Sequence, residues 1–500
     1  MSRVATLPQL IVNVDGSPLA PELALGEVRI QQRLSVPTLC ELTFYDQSVL
    51  SSLTPGAALS VSARGQSVPL FTGEITAVEH VYGPAHGYEV RVRGYDMLHR
   101  LRKRQSARAH VQVTLSDLAQ EMVADLGVTV EANANGPLWQ HLIQHRQSDL
   151  ELLVEIAERC GLYLALREDV LHLLTLQGIG DSVSLALGES LLEARIEVNS
   201  DPTCRVVEAA GWNPLRVETH QGRASDARVG RDVSAEAPPD VVGGTGQRNL
   251  VDEAAQDDLH AESLAQAELD QRAAREVTLW GIAEGNSALQ PGTPIEVSGV
   301  ADSLAGRYVL TSVTHTINER GGFTSEISTV PPTPHNRVRG VVAALGVVTQ
   351  IDDPEHIGRV RVSLPTYGNV ETDWMGIVTV GAGSGKGLVA LPDIGDTVLV
   401  LLIHEDPGEG VILGGLYGLQ GPPDSGVENG VVRRYTLLTR GGQRIRLDDE
   451  KDVIRVETNN GSYFELSPQK VDIHSVVDLI IEAPGQAIVI RGNSIDFERA

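Results

Sequence analysis

The sequence predicts a mainly β protein of several domains, and its composition and patterning support this prediction. The 500 residues include 50 Gly and 25 Pro, and aromatic residues make up 4% of the chain. These turn-forming residues recur between short segments in which apolar and polar residues alternate, a pattern typical of strands joined by tight turns. Since one core rarely organises a chain of this length, we expect roughly three or four domains.

The charge balance argues against nucleic acid as a partner. The chain carries 40 Lys and Arg residues against 66 Asp and Glu residues, a net charge of −26. An acidic surface repels the phosphate backbone of nucleic acid. It also adsorbs poorly to anionic lipid, so any contact with a membrane is expected to be brief.

The cysteines and the N-terminus predict synthesis in the cytoplasm without a signal peptide. Cys40, Cys160 and Cys204 are odd in number and widely spaced, which indicates neither a disulfide framework nor a zinc site. Pro8 interrupts the N-terminus before an apolar run of signal length. No stretch approaches the ~20 apolar residues of a membrane span.

Residues 1–110 are predicted to form a first β-barrel, followed by a helical insertion over residues 111–165. The insertion contains two segments with helical spacing of apolar residues, and Ser148 with Glu151 forms a capping box before the second. Cys160 lies on the apolar stripe of that helix. We therefore expect a buried side chain there rather than a nucleophile.

Residues 166–335 are predicted to form a second β-barrel that includes one helix. Residues 252–275 are rich in Ala, Glu and Gln, which favours a helix, whereas residues 219–246 read as a flexible loop. Three prolines within residues 331–334 stiffen a linker that ends this region.

Residues 336–420 are predicted to form a small Greek-key barrel of the OB type. About five short strands follow one another there, separated by turns rich in Asp, Pro and Gly. A further break over residues 421–426 precedes the last region.

Residues 431–500 carry the clearest periodic pattern in the chain. Apolar pairs alternate with polar residues and turns in a repeat of roughly eight residues, and no sequence remains to cover the apolar face. The seven pairs are Ile445/Leu447, Ile454/Val456, Phe464/Leu466, Val471/Ile473, Leu479/Ile481, Ile488/Ile490 and Ile495/Phe497.

Self-association would bury these seven pairs. A lone narrow meander is not independently stable, whereas three copies wound about one axis would form a rod without open strand edges. The alternative is an ordinary sheet packed on the preceding domain. We predict an intertwined triple-stranded β-helix, the needle, with all fourteen side chains in its trimer core.

Several ordered motifs resemble the OB domain of VgrG proteins and phage baseplate spikes. They are residues 346–354 (GVVTQIDDP), 358–362 (GRVRV), 374–375 (WM), 385–387 (GKG), 391–400 (LPDIGDTVLV), 406–407 (DP) and 414–417 (GGLY). Upstream, the chain resembles the hub part of this family, of the late-control protein D type, at residues 94–101 (GYDMLHRL), 147–153 (QSDLELL) and 158–161 (ERCG).

The resemblance implies tandem hub β-barrels, an OB domain and a needle in the homotrimeric spike of a contractile injection system. Such a spike docks at its hub onto an inner-tube protein of the Hcp kind, contacts baseplate proteins, carries effectors and punctures a target membrane. A PAAR-like tip protein would bind around Ile495, Phe497 and Ala500. The spike would be assembled into a particle and exported or released on contraction or lysis.

The chain also departs from some members of the family. Only residues 418–431 lie between the predicted OB domain and needle, too few for the lysozyme domain that some phage spikes insert there. We therefore expect a scaffold that is not an enzyme.

The glycine-rich segment 381–387 does not match a phosphate-binding loop. That motif needs Gly at the position of Val380 and Ser or Thr at the position of Gly387. Ser384 is not in a nucleophile elbow, since neither glycine of G-x-S-x-G is present around it. We predict a barrel turn, with no catalytic or cofactor-binding residue.

No metal site is predicted either. Residues 448–452 have carboxylates at alternate positions, but Val453 replaces the Gly that an EF-hand loop requires. His141 and His145 could share a helix face, yet no H-E-x-x-H pattern accompanies them. His474 would point outward from the needle, away from any ion on its axis.

Two other hypotheses stay open at the level of sequence. One is a cell-wall or polysaccharide hydrolase that uses the β rod as a stalk, with paired carboxylates as acid and base. The other treats the OB-like barrel as a nucleic-acid binder, which the acidic, aromatic-poor composition disfavours. The leading hypothesis is mechanical: the tube drives the trimer forward, and the rod transmits the load.

Overall fold

A computed structural model describes residues 8–19, 25–45, 53–66, 68–83, 87–335, 340–418 and 421–497. Strands dominate these residues, which confirms the predicted mainly β class. The chain divides into two compact units, residues 1–416 and 417–500. Short 3-10 helices lie at Met97–Lys103, Pro239–Val242 and Pro365–Tyr367.

The first seven strands that the structure describes pair antiparallel: β1 (Leu10–Val14), β2 (Ser17–Pro18), β3 (Leu25–Arg33), β4 (Val36–Phe44), β5 (Ala58–Ala63), β6 (Phe71–Gly83) and β7 (Gly87–Tyr95). Along β4, Cys40, Leu42 and Phe44 are buried, and the residues between them are partly exposed. This period of two places one face of the strand on a core.

A small mixed module follows, with the elements β8 (Arg108–Val113), α1 (Leu115–Val123), β9 (Thr129–Ala132), β10 (Trp139–Gln144), α2 (Asp149–Arg159), β11 (Tyr163–Arg167) and β12 (Val170–Leu174). The predicted capping box is confirmed: Ser148 Oγ accepts a hydrogen bond from Glu151 N, and the Glu151 carboxylate accepts one from Ser148 N. Cys160 is buried, as predicted.

The helical insertion predicted over residues 111–165 contains α1 and α2, but the prediction is wrong in part, because β9 and β10 also lie there. Their partners come from the borders of the segment or beyond it. β9 pairs parallel with β12, and β10 pairs antiparallel with β8. Short strands of this kind depend on partners that a local pattern does not show.

The next region contains β13 (Val183–Ala186), β14 (Leu191–Val198), β15 (Val206–Asn213), β16 (Glu218–Ala224), β17 (Gln247–Ala254), α3 (Asp258–Ala274), β18 (Val277–Glu284), β19 (Pro294–Ser298), β20 (Gly306–Val309), β21 (Ser312–Asn318) and β22 (Gly322–Ser328). The loop predicted over residues 219–246 is partly wrong, since most of β16 lies within it and pairs with β15.

The predicted helix over residues 252–275 begins too early. Residues up to Ala254 belong to β17, which pairs parallel with β15. The helix begins after Asp257, whose side chain accepts a hydrogen bond from His260 N at 2.9 Å and caps it. The helix packs so closely on β16 that a Cβ at Gly222 would lie 2.1 Å from the backbone nitrogen of Glu262.

One continuous sheet joins the two regions predicted as separate hub barrels. β21 pairs antiparallel with β3, from Ser312 opposite Arg33 to Asn318 opposite Glu27. The resulting 11-stranded sheet has the order β14-β18-β22-β21-β3-β4-β7-β6-β5-β1-β2. The cores predicted as independent therefore share a backbone ladder.

The OB region consists of β23 (Val341–Gln350), β24 (Arg361–Leu364), β25 (Val370–Glu371), β26 (Thr397–Ile403) and β27 (Gly410–Gly415), in the sheet order β25-β24-β23-β26-β27. Isolated bridges from Met375 to Val360 and from Ile377 to Ile412 connect the two ends of the sheet. These bridges curl the sheet around an aliphatic core, as in a small closed barrel.

The second unit contains β28 (Val427–Glu428), β29 (Val431–Val432), β30 (Arg434–Leu438), β31 (Arg444–Asp448), β32 (Val453–Glu457), β33 (Tyr463–Leu466) and β34 (Val471–His474). β30 to β34 form a five-stranded antiparallel meander in chain order. In a single copy these strands pair with one another.

Candidate functional site

The meander places two columns of apolar side chains on one face. Its register aligns the first column across all five strands: Leu437, Ile445, Val456, Phe464 and Ile473. The second column runs beside the first: Tyr435, Leu447, Ile454, Leu466 and Val471. We call these ten residues the apolar face.

Nearly all of the apolar face is open to solvent. Exposed fractions range from 40% for Phe464 to 64% for Val471, and Leu466 is partly buried. A contiguous apolar surface of this kind marks an interaction site, because isolated exposed residues are common but aligned ones are not. The eight residues predicted from β31 to β34 lie together here as expected for one face; their role in a trimer core stays a prediction.

Sequence reasoning missed Tyr435 and Leu437, which extend both columns by one strand. They continue the same alternation of apolar and polar residues. The alternation therefore begins in β30. The turn-rich residues 421–426 just before it made the first strand of the repeat hard to recognise.

The opposite face of the meander is polar and held by ion pairs. Arg455 lies 2.7 Å from Glu457 and 2.9 Å from Glu465, and its guanidinium stacks 3.9 Å from the centre of the Tyr463 ring. The His474 ring stacks on the Tyr463 ring with 5.0 Å between their centres. His474 therefore lies on the polar face, as its predicted register requires.

Residues 475–497 continue the apolar pattern without forming strands in the described single copy. The remaining predicted pairs are all exposed: Leu479, Ile481, Ile488, Ile490, Ile495 and Phe497. Ile495 and Phe497, predicted to bind a tip protein, are 51% and 91% exposed. The third predicted tip residue, Ala500, lies outside the described residues.

The segment that imitates a phosphate-binding loop is an exposed hairpin. Gly383 and Lys386 exchange backbone hydrogen bonds of 3.1 and 3.2 Å, so the amides at both positions are used within the turn. Ser384 sits at the tip of this hairpin and is exposed.

Other residues considered for chemistry are held in structural contacts. Asp448 Oδ1 accepts a hydrogen bond from Lys451 N, which closes the turn after β31. His141 lies on β10 and not on a helix, which corrects that interpretation, and burial lowers its pKa. His145 packs against the Tyr367 ring. Within the described ranges, no group of three or more His, Cys, Asp or Glu side chains is arranged to hold a metal ion.

No helix in the described part of the chain is long and apolar enough to cross a membrane.

Two family models match the chain. The first is described as the Alg8 N-terminal domain and matches residues 4–319, more than half of the chain. The chain belongs to this family. The second is described as the type VI secretion system and phage-baseplate injector OB domain; it matches residues 344–417, which cover the closed barrel described above except the first three residues of β23.

A curated relative carries the VgrG name. The chain is 25% identical over 415 residues to a protein of Vibrio cholerae named actin cross-linking toxin VgrG1. The match covers 74% of this member of the Alg8 N-terminal domain family but only 35% of the toxin. The chain thus spans about a third of the relative's length.

Two solved structures show the same fold. One chain of a Francisella PdpA–VgrG complex matches with a TM-score of 0.57 at 8% identity, covering 95% of this chain and 89% of the other. The E. coli c3393 protein, described as a type VI secretion component similar to the T4 tail proteins gp27 and gp5, matches with a TM-score of 0.55 at 13% identity, covering 81% and 99%. The predicted resemblance to VgrG proteins and phage hub-spikes is confirmed.

Proposed function

We propose that the protein is the trimeric central spike of a contractile injection system, which docks on the inner tube and punctures the target envelope. The apolar face of the meander is the observation that carries this proposal. A spike must be narrow and must keep its shape under load, and both needs are met when the meanders of three copies turn their apolar faces toward a common axis.

Burial of the apolar face would stabilise such an assembly. Apolar area removed from water contributes roughly 25 cal/mol per Å², and three copies would each supply two columns. The pattern continues over residues 475–497, which form no strand in the described single copy and would gain partner strands from neighbouring copies. The ion pairs of the opposite face would remain in solvent.

The proposed role as a spike implies particular protein partners. The hub would dock onto an inner-tube protein of the Hcp kind and onto baseplate proteins. A PAAR-like tip protein would cover the end of the needle near Ile495, Phe497 and Ala500, and effectors would ride on the spike. The spike would be synthesised in the cytoplasm, assembled into the particle and released on contraction or lysis.

The chain would act as a scaffold and not as an enzyme. The comparisons give no support to the hydrolase alternative, and the activity named for the Vibrio toxin belongs to a protein of which this chain matches 35%. The force for puncture would come from the contracting machine.

Light scattering during size-exclusion chromatography tests the proposal directly. We expect the full chain to elute with three times its mass of 53.6 kDa. A monomer that persists at micromolar concentration would rule out the trimeric spike.

A further inference from the structure

The turn between β26 and β27 joins the OB domain to the hub. We call residues 404–409 the docking turn. His404 Nε2 lies 3.1 Å from the backbone carbonyl oxygen of Asp252 at the end of β17, and Glu405 lies 3.4 Å from Arg146 beside α2. His404 and Glu405 both have positive φ, 53° and 59°. Such backbone conformations persist where surrounding contacts hold them.

His404 stands between two hydrogen-bond acceptors. Nδ1 lies 3.3 Å from Glu409 Oε2, and Nε2 lies 3.1 Å from the Asp252 carbonyl oxygen. A neutral imidazole has one N–H and can donate to only one of these oxygens, whereas an imidazolium donates to both. The docked geometry therefore fits the protonated ring better. The Glu409 hydrogen bond raises the pKa of His404 accordingly.

Asp406 occupies the centre of the docking turn. Its Oδ1 accepts a hydrogen bond of 2.8 Å from Gly408 N. Burial, followed by the nearby Glu409 carboxylate, raises its pKa to about 7, although Arg159 of α2 acts in the opposite direction. Glu155 of α2 adds further negative charge.

The other charged groups around the turn come from three elements. Arg159 is attracted to Glu155 and Glu253 as well as to the carboxylates of the turn. On α3, burial lowers the pKa of His260, and its Nδ1 lies 2.8 Å from Asp257. The charges of Arg159 and Glu409 also act on this histidine. Four carboxylates therefore lie around Arg159, those of Glu155, Glu253, Asp406 and Glu409. His404 connects the docking turn to β17 through the Asp252 carbonyl oxygen.

We propose that the docking turn is a pH-responsive latch, which holds the OB domain to α2 and β17 more tightly in acid. Protonation of His404 completes its second hydrogen bond. Protonation of Asp406 removes a negative charge beside the buried carboxylate of Glu409. Both changes favour the docked turn, so they act in the same direction.

The sign and size of the effect follow from linkage. A raised pKa in the docked state means that protons bind the docked turn more tightly than the free turn, so docking is favoured at low pH and weakens as pH rises through about 7. With an ordinary pKa of 3.8 in the undocked turn, Asp406 alone shifts the docking equilibrium about tenfold between pH 8 and pH 6.

Hydrogen–deuterium exchange of the full chain tests the latch. Protection of residues 404–410 is compared at pH 6 and pH 8 after correction for intrinsic exchange rates, and residues of β15 provide an internal reference. We expect about tenfold greater protection at pH 6 in the native chain. His80→Gln, at an exposed position of β6, is the matched histidine control and should keep this change.

Two variants separate the contributions. Asp406→Asn keeps an oxygen for Gly408 N but carries no charge, so its turn should lose the Asp406 part of the pH change and keep only the smaller part due to His404. His404→Gln can donate only through one amide nitrogen and should lower protection at pH 6. Equal protection of the native turn at both pH values, or a full tenfold change in Asp406→Asn, would overturn the latch. The native measurement decides the matter even if a variant fails to fold.

Discussion

Asp353 organises the first turn of the OB domain through several hydrogen bonds at once. Its carboxylate accepts from the backbone nitrogens of Glu355 and Ile357 at 3.1 Å and forms a two-point ion pair with Arg359, at 2.8 and 3.1 Å. Both side chains are buried. The Arg359 guanidinium holds the pKa of Asp353 well below its usual range.

Asp353→Ala should therefore destabilise the OB domain strongly. Removing Asp353 leaves the buried Arg359 with only the exposed Glu355 as an ion-pair partner, at 3.2 Å, which costs about 3 kcal/mol, measurable by urea unfolding. The exposed neighbour serves as control: Asp352→Ala should change stability by less than about 0.5 kcal/mol. Equal losses in the two variants would contradict the role assigned to the pair.

The pH dependence of this pair has a definite sign. Because the folded pKa of Asp353 lies below its ordinary value of 3.8, the ion pair contributes fully above that value and loses its contribution as pH falls. The stability difference between the native chain and Asp353→Ala should accordingly shrink below about pH 4.

Val217 has a strained backbone conformation that a glycine at the same position would relieve. It closes the hairpin between β15 and β16 with φ at 58°, a conformation unfavourable for a β-branched side chain, and it is 77% exposed. Val217→Gly should raise stability by about 1 kcal/mol, seen as a higher thermal midpoint. Val217→Ala keeps a Cβ and should recover less. A lower thermal midpoint for Val217→Gly than for the native chain would show that the backbone of Val217 is not strained.

At the scale of elements, α2 begins where a local signal places it. Ser148 and Glu151 cap each other's backbone nitrogens, and the buried side chains of the helix follow at helical spacing. Ser148→Ala should cost about 1 kcal/mol in unfolding free energy, because it leaves the Glu151 N–H without its acceptor.

A serine inside a helix provides the control for this substitution. Ser116 lies in the first turn of α1, and the capping side chain there is Thr114. Ser116→Ala should be neutral or slightly stabilising, since Ala is the better helix former. A comparable loss in both variants would argue against the cap.

The meander shows what a period of two can encode. Alternate residues of β32 belong either to the apolar face or to the ion-paired face, as with Val456 beside Arg455 and Glu457. Two opposite surfaces thus arise from one short repeat.

At the scale of the whole molecule, the apolar pattern of residues 475–497 distinguishes an assembled needle from a single chain. Ile488→Asp/Ile490→Asp places two charges on the predicted axis and should abolish the trimer, as measured by light scattering. Val489→Asp is the matched control, because the alternation points it outward. A normal trimer from the double variant would show that the predicted register is wrong.

Several parts of this architecture could be read from local sequence. The Ser148 cap, the burial of Cys160 and the common face of the pairs from Ile445 to Ile473 all depend on spacings of a few residues. The predicted start of α3 is wrong, since Glu253 and Ala254 belong to β17 and pair with β15. Strand pairing overrode the local preference there.

Other features depended on residues far apart in the chain. The pairing of β21 with β3 and the contact of His404 with Asp252 join segments more than 100 residues apart. The local sequence of these segments does not reveal their partners, because the same pattern of apolar and polar residues is compatible with other neighbours. Short-range periodicity and hydrogen bonding are enough to predict the β class, the cap of α2 and the apolar face. The shared sheet of the hub regions and the contact of His404 with Asp252 depend on packing, which selects the distant groups that meet.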